Sequence, residues 1–118
     1  MRLATVSKGG MPHIVPVWYL YSGRKFYVGT NTATIKAKNV KRRGRAAFCI
    51  DEGVSSPIYG VMGRCKASLI LGDRVRGIAG RIISRYFKDM REKSAVELLD
   101  DTDCIIEMMP ENITVWKY

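Results

Sequence analysis

The chain has 118 residues, of which 47% are hydrophobic, and its formal net charge is +9. This length suits a single domain spanning residues 1–118, and the apolar content excludes a disordered chain. The sequence contains no apolar stretch long enough to cross a membrane and no signal peptide, and its three cysteines without Cys-X-X-Cys spacing exclude a disulfide framework and a zinc site. We therefore expect a cytoplasmic protein with no membrane partner and no metal.

The first 30 residues predict a meander of three strands. The β-prone segments cover residues 3–7, 12–21 and 25–30. The adjacent glycines Gly9 and Gly10 favour a tight hairpin turn between the first two strands, because glycine adopts the positive φ angles that such turns require. The Ser22-Gly23-Arg24 segment turns the chain again before the third strand.

A helix is predicted over residues 33–43, where alanine and valine recur at i, i+4 and i+7 and form one apolar stripe. Either Thr32 or Thr34 can cap its start, because a threonine hydroxyl accepts a hydrogen bond from a free N–H group of the first turn. Gly44 is placed to end the helix, since a glycine readily takes the left-handed conformation of a C-terminal cap.

The rest of the chain predicts two strands, two helices and two final strands. The strands cover 46–50, 59–71, 104–109 and 113–117, and the helices cover 80–90 and the residues from Ser94 onward. A loop at 51–58 separates the first two strands, Gly63 marks a bulge or bend, and Ser94 with Glu97 forms a capping-box pattern. In total, about seven strands with three short helices are typical of a mainly β barrel rather than a doubly wound sheet.

Basic residues are concentrated near the start of the chain. Residues 1–45 contain ten Lys or Arg and no Asp or Glu, whereas residues 82–118 contain eight acidic and five basic residues. The basic half is expected to attract anions, so phosphate groups, nucleic acid and acidic surfaces are all candidate partners. The run from Lys38 to Arg45 is either a solvated face or a site for a second anion or a partner.

Hydroxyl and amide side chains cluster between the third strand and the first helix. Thr30, Asn31, Thr32 and Thr34 lie just before the helix start, and Lys36 lies in its first turn. Free N–H groups and the positive end of the helix dipole meet there, which favours an anion such as a terminal phosphate. The alternative interpretation is that the threonines only cap the helix and that Lys36 is solvated. The glycine spacing of a Walker or dinucleotide motif is missing.

Several segments in a characteristic order resemble the pyridoxamine 5′-phosphate oxidase-like family, and within it the small FMN- or deazaflavin-binding split barrels. The segments that carry this resemblance are Arg2-Leu-Ala-Thr-Val6, Pro12-His-Ile-Val-Pro-Val-Trp-Tyr19, Phe26-Tyr-Val-Gly-Thr30, Lys36-Ala-Lys-Asn-Val40 and Arg45-Ala-Ala-Phe48. The match covers nearly the whole chain. It implies a split β-barrel of Greek-key type, an oxidoreductase function with FMN, and a homodimer whose cofactor sites lie at the subunit interface.

The resemblance also assigns cofactor-binding residues. Thr34 and Lys36 match the hydroxyl and lysine positions that hold the phosphate, whereas Ile35 stands where the family usually has arginine, which removes one charge-assisted contact. Thr30 and Asn31 match the strand-end positions that usually touch the phosphate side of the cofactor. A further segment matches the part of the second strand that flanks the flavin ring, and it consists of Pro16, Val17 and Trp18.

Other functions remain open at this point. The basic residues Lys38, Lys41 and Arg42 leave room for a deazaflavin coenzyme, whose tail carries more negative charge than FMN. The acid-free first part of the chain is also compatible with a nucleic-acid-binding module, but no nucleic-acid motif occurs and no aromatic residues alternate with the basic run. A third alternative is a protein that keeps the fold without the cofactor. No acid–base pair around the single histidine, His13, can be assembled, so catalytic residues and the substrate stay unassigned.

Overall fold

A computed structural model describes residues 1–53 and 55–118; Val54, within the predicted loop 51–58, lies outside the described residues. The strands are β1 (Arg2–Val6), β2 (Pro12–Pro16), β3 (Leu20–Ser22), β4 (Lys25–Thr30), β5 (Arg45–Glu52), β6 (Tyr59–Ile70) and β7 (Cys104–Lys117). The helices are α1 (Ile35–Arg43), α2 (Arg74–Ile83) and α3 (Lys93–Asp101). In the described part of the chain, no helix is both long and apolar enough to span a membrane.

All seven strands pair antiparallel in one sheet with the order β2-β1-β5-β6-β7-β4-β3. Strands that are far apart in this order nevertheless share one core. The rings of Phe26 in β4 and Phe48 in β5 lie 4.6 Å apart between centroids, although two strands separate β4 from β5 in the sheet. The sheet must therefore curl around its apolar face, as the predicted mainly β barrel requires.

The curled sheet encloses a core to which Leu3, Val28, Ile106 and Met108 contribute fully buried side chains. Inward and outward residues alternate along β4, as the period of two in a half-buried strand demands. The outer face of the sheet is covered in one region, where α2 packs over β7 through its contact with Ile105. This placement leaves a space between the helices and the barrel wall, which is described below.

Helix α1 ends before Gly44, as local signals indicated, but begins at Ile35, two residues after the predicted start at 33, with Thr34 of the two candidate residues as its N-cap. The Thr34 side chain accepts a hydrogen bond from the N–H of Ala37, and Gly44 closes the helix in the left-handed region with φ 65°. The buried face carries one polar residue, Asn39, whose amide donates to the hydroxyl of Thr5 at 3.0 Å. A buried amide without that partner would be costly, so this bond positions α1 against β1.

In two places the chain is divided into strands differently from the prediction, while the other strands shift by no more than two residues at either end. The segment predicted as one strand over 12–21 is split, because β2 pairs with β1 at one edge of the sheet and β3 pairs with β4 at the other. Residues 17–19 cross between these edges. Conversely, the two predicted final strands form a single strand, β7, which pairs with β6 along its length. The register shifts between Arg64 and Cys65, which lie opposite Asn112 and Pro110, so Glu111 of β7 is the extra residue of a bulge.

The predicted second helix over 80–90 is wrong in position, because α2 spans Arg74–Ile83 and ends before the aromatic residues that follow it. Those residues, Tyr86 and Phe87, pack instead against Trp18, which lies far away in the chain. The predicted capping box is also not formed: α3 begins at Lys93, one residue before Ser94, and its N-cap residue makes no side-chain cap hydrogen bond.

Candidate functional site

A cavity of about 200 Å³ lies outside the barrel, between the end of β4 and the helices α2 and α3. Four of the predicted cofactor residues line it, namely Pro16, Val17, Trp18 and Lys36. The other wall is apolar and comes from α2 and α3, through Ala79, Ile82, Ile83 and Leu98. The structure therefore places the second-strand segment and the first turn of α1 at one cavity, and α2 and α3 add a wall that the sequence did not indicate.

A second cavity, of about 520 Å³, adjoins the first and shares Pro16, Val17, Trp18 and Leu98 with it. The two cavities therefore adjoin at the segment from Pro16 to Trp18. Gly29 lies in the wall of the first cavity, where a Cβ atom would approach the Thr102 side chain to 3.2 Å. Because Gly29 has no side chain, it leaves space in the cavity that Lys36 also lines.

Lys36 is the only ionisable residue that lines the first cavity in the described structure. Burial lowers the pKa of its ammonium group, and the nearby Cys104 thiol offsets this effect in part. No carboxylate of the described residues lies within ion-pair distance of Lys36, although six ion pairs form elsewhere among those residues. A half-buried cation without a counter-ion beside a cavity is a favourable place for an anion to bind.

The hydroxyl groups predicted beside Lys36 are largely occupied by their own chain. The hydroxyl of Thr34 donates to the carbonyl of Asn31 at 2.8 Å and accepts from the Ala37 N–H at 3.4 Å. Its single proton is thus used, so the 3.0 Å contact with Thr30 requires the Thr30 hydroxyl to be the donor. Thr30 and Thr34 therefore form the helix cap and do not line the cavity.

The turn before α1 already holds a negative charge. The N–H and the hydroxyl of Thr32 donate to the two carboxylate oxygens of Asp103, at 2.8 and 3.2 Å. The Asn31 amide donates to the carbonyl of Asp101 at 3.2 Å, and its oxygen accepts from the Ala33 N–H at 2.9 Å. The anion position predicted at this turn is filled by Asp103, and only the side of the helix start that carries Lys36 faces the cavity.

The ring of Trp18 is held in place by an aromatic residue that the sequence did not connect with it. Tyr86 stacks on Trp18 with centroids 4.3 Å apart and an angle of 8° between the rings, and Phe87 meets its edge. The neighbouring Tyr19 N–H donates to the Tyr86 hydroxyl at 3.3 Å, and the Arg85 guanidinium lies 4.5 Å from the Tyr19 ring. Since neither Tyr86 nor Phe87 lines the cavities, they support Trp18 from its other side.

The residues of this site fit the phosphate end of a flavin. They offer the phosphate fewer contacts than the hydroxyl, arginine and lysine of the family pattern. Lys36 provides a charge, and the N–H groups of the first helical residues point out of the helix start. Ile35, at the position of the family arginine, is 55% exposed and offers no hydrogen bond from its side chain. His13 does not line either cavity, and its Nδ1 atom is buried without a hydrogen-bond partner in the described chain.

The chain matches the family model described as pyridoxamine 5′-phosphate oxidase over residues 1–117. Three solved structures illustrate the similarity in fold. A conserved hypothetical protein, Rv2991, from Mycobacterium tuberculosis is 18% identical, with a TM-score of 0.84 over 98% of this chain and 75% of that one. The heme storage protein HutZ from Vibrio cholerae is 14% identical, with a TM-score of 0.76 over 98% and 83%.

A pyridoxamine 5′-phosphate oxidase-related, FMN-binding protein from Nostoc punctiforme is 14% identical, with a TM-score of 0.71 over 98% of this chain and 72% of that one. No curated protein matches the chain. At such identities the likeness concerns the fold alone, and it confirms the predicted mainly β split barrel. The predicted homodimer stays a prediction.

Proposed function

Because this chain belongs to the pyridoxamine 5′-phosphate oxidase family, we propose that it binds FMN and works as a flavin-dependent oxidoreductase. The observation that carries the proposal is Lys36, a half-buried ammonium group without a counter-ion at the wall of an open cavity. An FMN-binding relative of the same fold, the Nostoc punctiforme protein, supports the choice of a flavin. The small-molecule substrate of the reaction is not specified by this site.

In the proposed complex, Lys36 and the N–H groups at the start of α1 hold the phosphate. The segment Pro16 to Trp18 then flanks the ring in the larger of the two adjoining cavities, whose volume is about 520 Å³. Bound flavin supplies the electron or hydride transfer. The chain contributes binding, orientation and exclusion of water, the last through the apolar wall of α2 and α3.

The proposal includes a homodimer. Ile14 and Met62 are 65% and 47% exposed, and the strand register places both on the outer face of the sheet. A second copy that packs on this face would remove both side chains from water. We expect a dimer in analytical ultracentrifugation and a monomer after Ile14→Asp, because a carboxylate would then be buried unpaired at the interface. An unchanged dimer in that variant would argue for another interface.

A deazaflavin reductase of the same fold is the second candidate. The exposed residues Lys38, Lys41 and Arg42 follow Lys36 along α1 and could meet the more negative tail of such a coenzyme. A basic nucleic-acid-binding module is the third candidate. It is the weaker one, because aromatic side chains, on which bases would stack, do not accompany these basic residues.

The deciding experiment is a visible absorption spectrum of the purified protein, followed by titration of the apo form with FMN and with deazaflavin. A bound flavin chromophore or saturable FMN binding supports the proposal, and preference for deazaflavin selects the second candidate. A haem spectrum, as the similarity to HutZ makes worth checking, would contradict the flavin assignment. Binding of neither flavin would refute it, and salt-dependent binding of an oligonucleotide would then favour the third candidate.

A further inference from the structure

The turn that follows α2 holds Trp18 in place, and Trp18 lines both cavities of the candidate site. Tyr86 in this turn stacks on the indole ring, and Phe87 meets its edge. We propose that Tyr86 is a positioning residue for the cofactor ring, because it fixes the indole surface against which that ring binds. This role rests on the proposed flavin function, and it falls to a residue that lines neither cavity.

The segment from Val17 to Tyr19 needs hydrogen-bond partners outside the sheet, because it crosses between the two sheet edges and belongs to no strand. The turn after α2 supplies two of them. The Tyr19 N–H donates to the Tyr86 hydroxyl at 3.3 Å, and the Tyr19 carbonyl accepts a hydrogen bond from the Arg85 guanidinium group. Backbone groups that lose such partners away from water are costly. Trp18, in the middle of this segment, is therefore fixed through its backbone as well as through its ring.

The same turn is tied to the helix that forms the other wall of the first cavity. Ile82 and Ile83 of α2 line this cavity. Their carbonyls accept backbone hydrogen bonds from the N–H groups of Arg85, Tyr86 and Phe87 at 2.9 to 3.2 Å. The α2 wall and the tryptophan wall are thus joined through one hydrogen-bonded turn, which sets the width of the space between them.

Arg85 adds a second kind of contact to this arrangement. Its guanidinium group lies 4.5 Å from the centroid of the Tyr19 ring and 5.4 Å from that of the Tyr86 ring. A cation over an aromatic face is attracted to the negative charge of that face. Arg85 forms no ion pair among the described residues, so no carboxylate of that part of the chain competes for it. One side chain therefore links the crossing segment to Tyr86.

The stack leaves part of the indole free for a ligand. Tyr86 covers one face of Trp18, with ring centroids 4.3 Å apart and an angle of 8° between the rings, yet Trp18 is still 42% exposed. A planar aromatic ring such as that of a flavin can stack on the remaining face. Because the indole is held before the ligand arrives, little side-chain entropy is lost on binding. Removal of the Tyr86 ring should therefore weaken the binding of a cofactor that Tyr86 does not contact.

The test is a calorimetric titration of the apo protein with FMN, for wild type and for two variants of Tyr86. Tyr86→Leu loses the ring stack, whereas Tyr86→Phe keeps it and loses only the hydroxyl. We expect Tyr86→Leu to weaken FMN binding about two- to tenfold, as for the loss of one aromatic pair, and Tyr86→Phe to stay close to wild type. Tyr118→Leu is the control and should leave the affinity unchanged, because its side chain is 78% exposed and lines neither cavity.

A double-mutant cycle shows whether Tyr86 acts through Trp18. In a Trp18→Leu background, Tyr86→Leu should cause no further loss of FMN affinity, because the ring that it positions is gone. Full additivity of the two losses would overturn the assignment, and so would an unchanged affinity in the single variant Tyr86→Leu. Equal losses in Tyr86→Leu and Tyr118→Leu would also overturn it.

A measurement on the apo protein separates the positioning role from the flavin proposal. The near-UV circular dichroism band of Trp18, identified as the difference between wild type and Trp18→Leu, reports fixed packing of its ring. We expect this band to be lost in Tyr86→Leu and kept in Tyr86→Phe, with an unchanged far-UV spectrum in both. A band that persists in Tyr86→Leu overturns the assignment whether or not FMN binds. If wild type binds no FMN while the band behaves as expected, the flavin proposal fails and the positioning of Trp18 by Tyr86 stands.

Discussion

Replacing Lys36 with alanine is the sharpest test of the flavin site. The side chain is half-buried at the cavity wall and has no counter-ion among the described residues, so its removal breaks no ion pair of the described protein. The substitution should therefore leave the fold intact and act on the anion that the cavity binds. Its neighbours at the helix start offer no replacement, because Ile35 is apolar and the Thr34 hydroxyl is used in the cap.

The expected size of the effect follows from the single contact that is lost. A hydrogen bond to a charged group contributes about 1.5–3 kcal/mol, and about 1.4 kcal/mol corresponds to a factor of ten in affinity. Lys36→Ala should therefore weaken FMN binding about ten- to a hundredfold. Because the family arginine is absent at Ile35, no second side chain of the first turn shares the phosphate, which favours the upper part of this range.

The assay is fluorescence quenching of FMN on titration with apo protein. Lys41→Ala is the matched control, because it removes the same charge from an exposed position of the same helix, outside the Lys36 cavity. A change of less than about threefold is expected for it, as for an exposed charge whose interaction is screened by solvent. Equal affinities of Lys36→Ala and wild type would refute the phosphate assignment, and equal losses in both variants would reduce it to a net-charge effect.

The lowered pKa of Lys36 adds a pH dependence to the same test. Burial of the charged Lys36 ammonium group lowers the free energy of unfolding of the apo protein. This cost is fully present at any pH at which Lys36 is charged in both the folded and the unfolded state. As the pH rises towards 10.5, the ordinary value for this group, the folded state releases the proton before the unfolded state does, so the cost disappears. Apo Lys36→Met should therefore exceed wild type in thermal stability near neutral pH, and the gap should narrow on the alkaline side. A gap that widens with pH would contradict the assigned burial.

Two further predictions concern the barrel. Gly63→Ala should destabilise the protein in urea unfolding by about 1–3 kcal/mol, because the new Cβ would lie 2.3 Å from a backbone oxygen of β7. Gly77→Ala, at an open position inside α2, should instead stabilise it by about 0.5–1 kcal/mol; a similar loss in both variants would show that the crowding at Gly63 is not the cause. Burial raises the pKa of Cys65 and Cys104 to about 11, so a thiol reagent at pH 8 should modify Cys49 alone in the folded protein and all three thiols after unfolding. Modification of all three at one rate in the folded state would contradict this.

Elements with local signals were predictable from the sequence. Gly44 indicated the end of α1 correctly, and Thr34 was one of the two candidate caps for its start, because caps act on backbone groups within one turn of themselves. The strand patterns also predicted a mainly β barrel correctly. The position of α2 was not predictable from the sequence. Tyr86 and Phe87 continue its apolar spacing along the chain, but in the structure they pack against the ring of Trp18 instead of lying in the helix.

The same distinction between local signals and contacts of distant segments applies to the candidate site. By itself, the sequence proposed Lys36 and the segment 16–18 as cofactor residues, because the order of the motifs is a property of the chain. Only the tertiary structure decided that Asp103 closes the turn at Thr32 and that α2 and α3 wall the cavity. These partners lie more than 40 positions away along the chain, and the curl of the sheet brings them together. Contacts of this kind depend on the burial of surfaces from distant segments, for which no short stretch of sequence carries a signal.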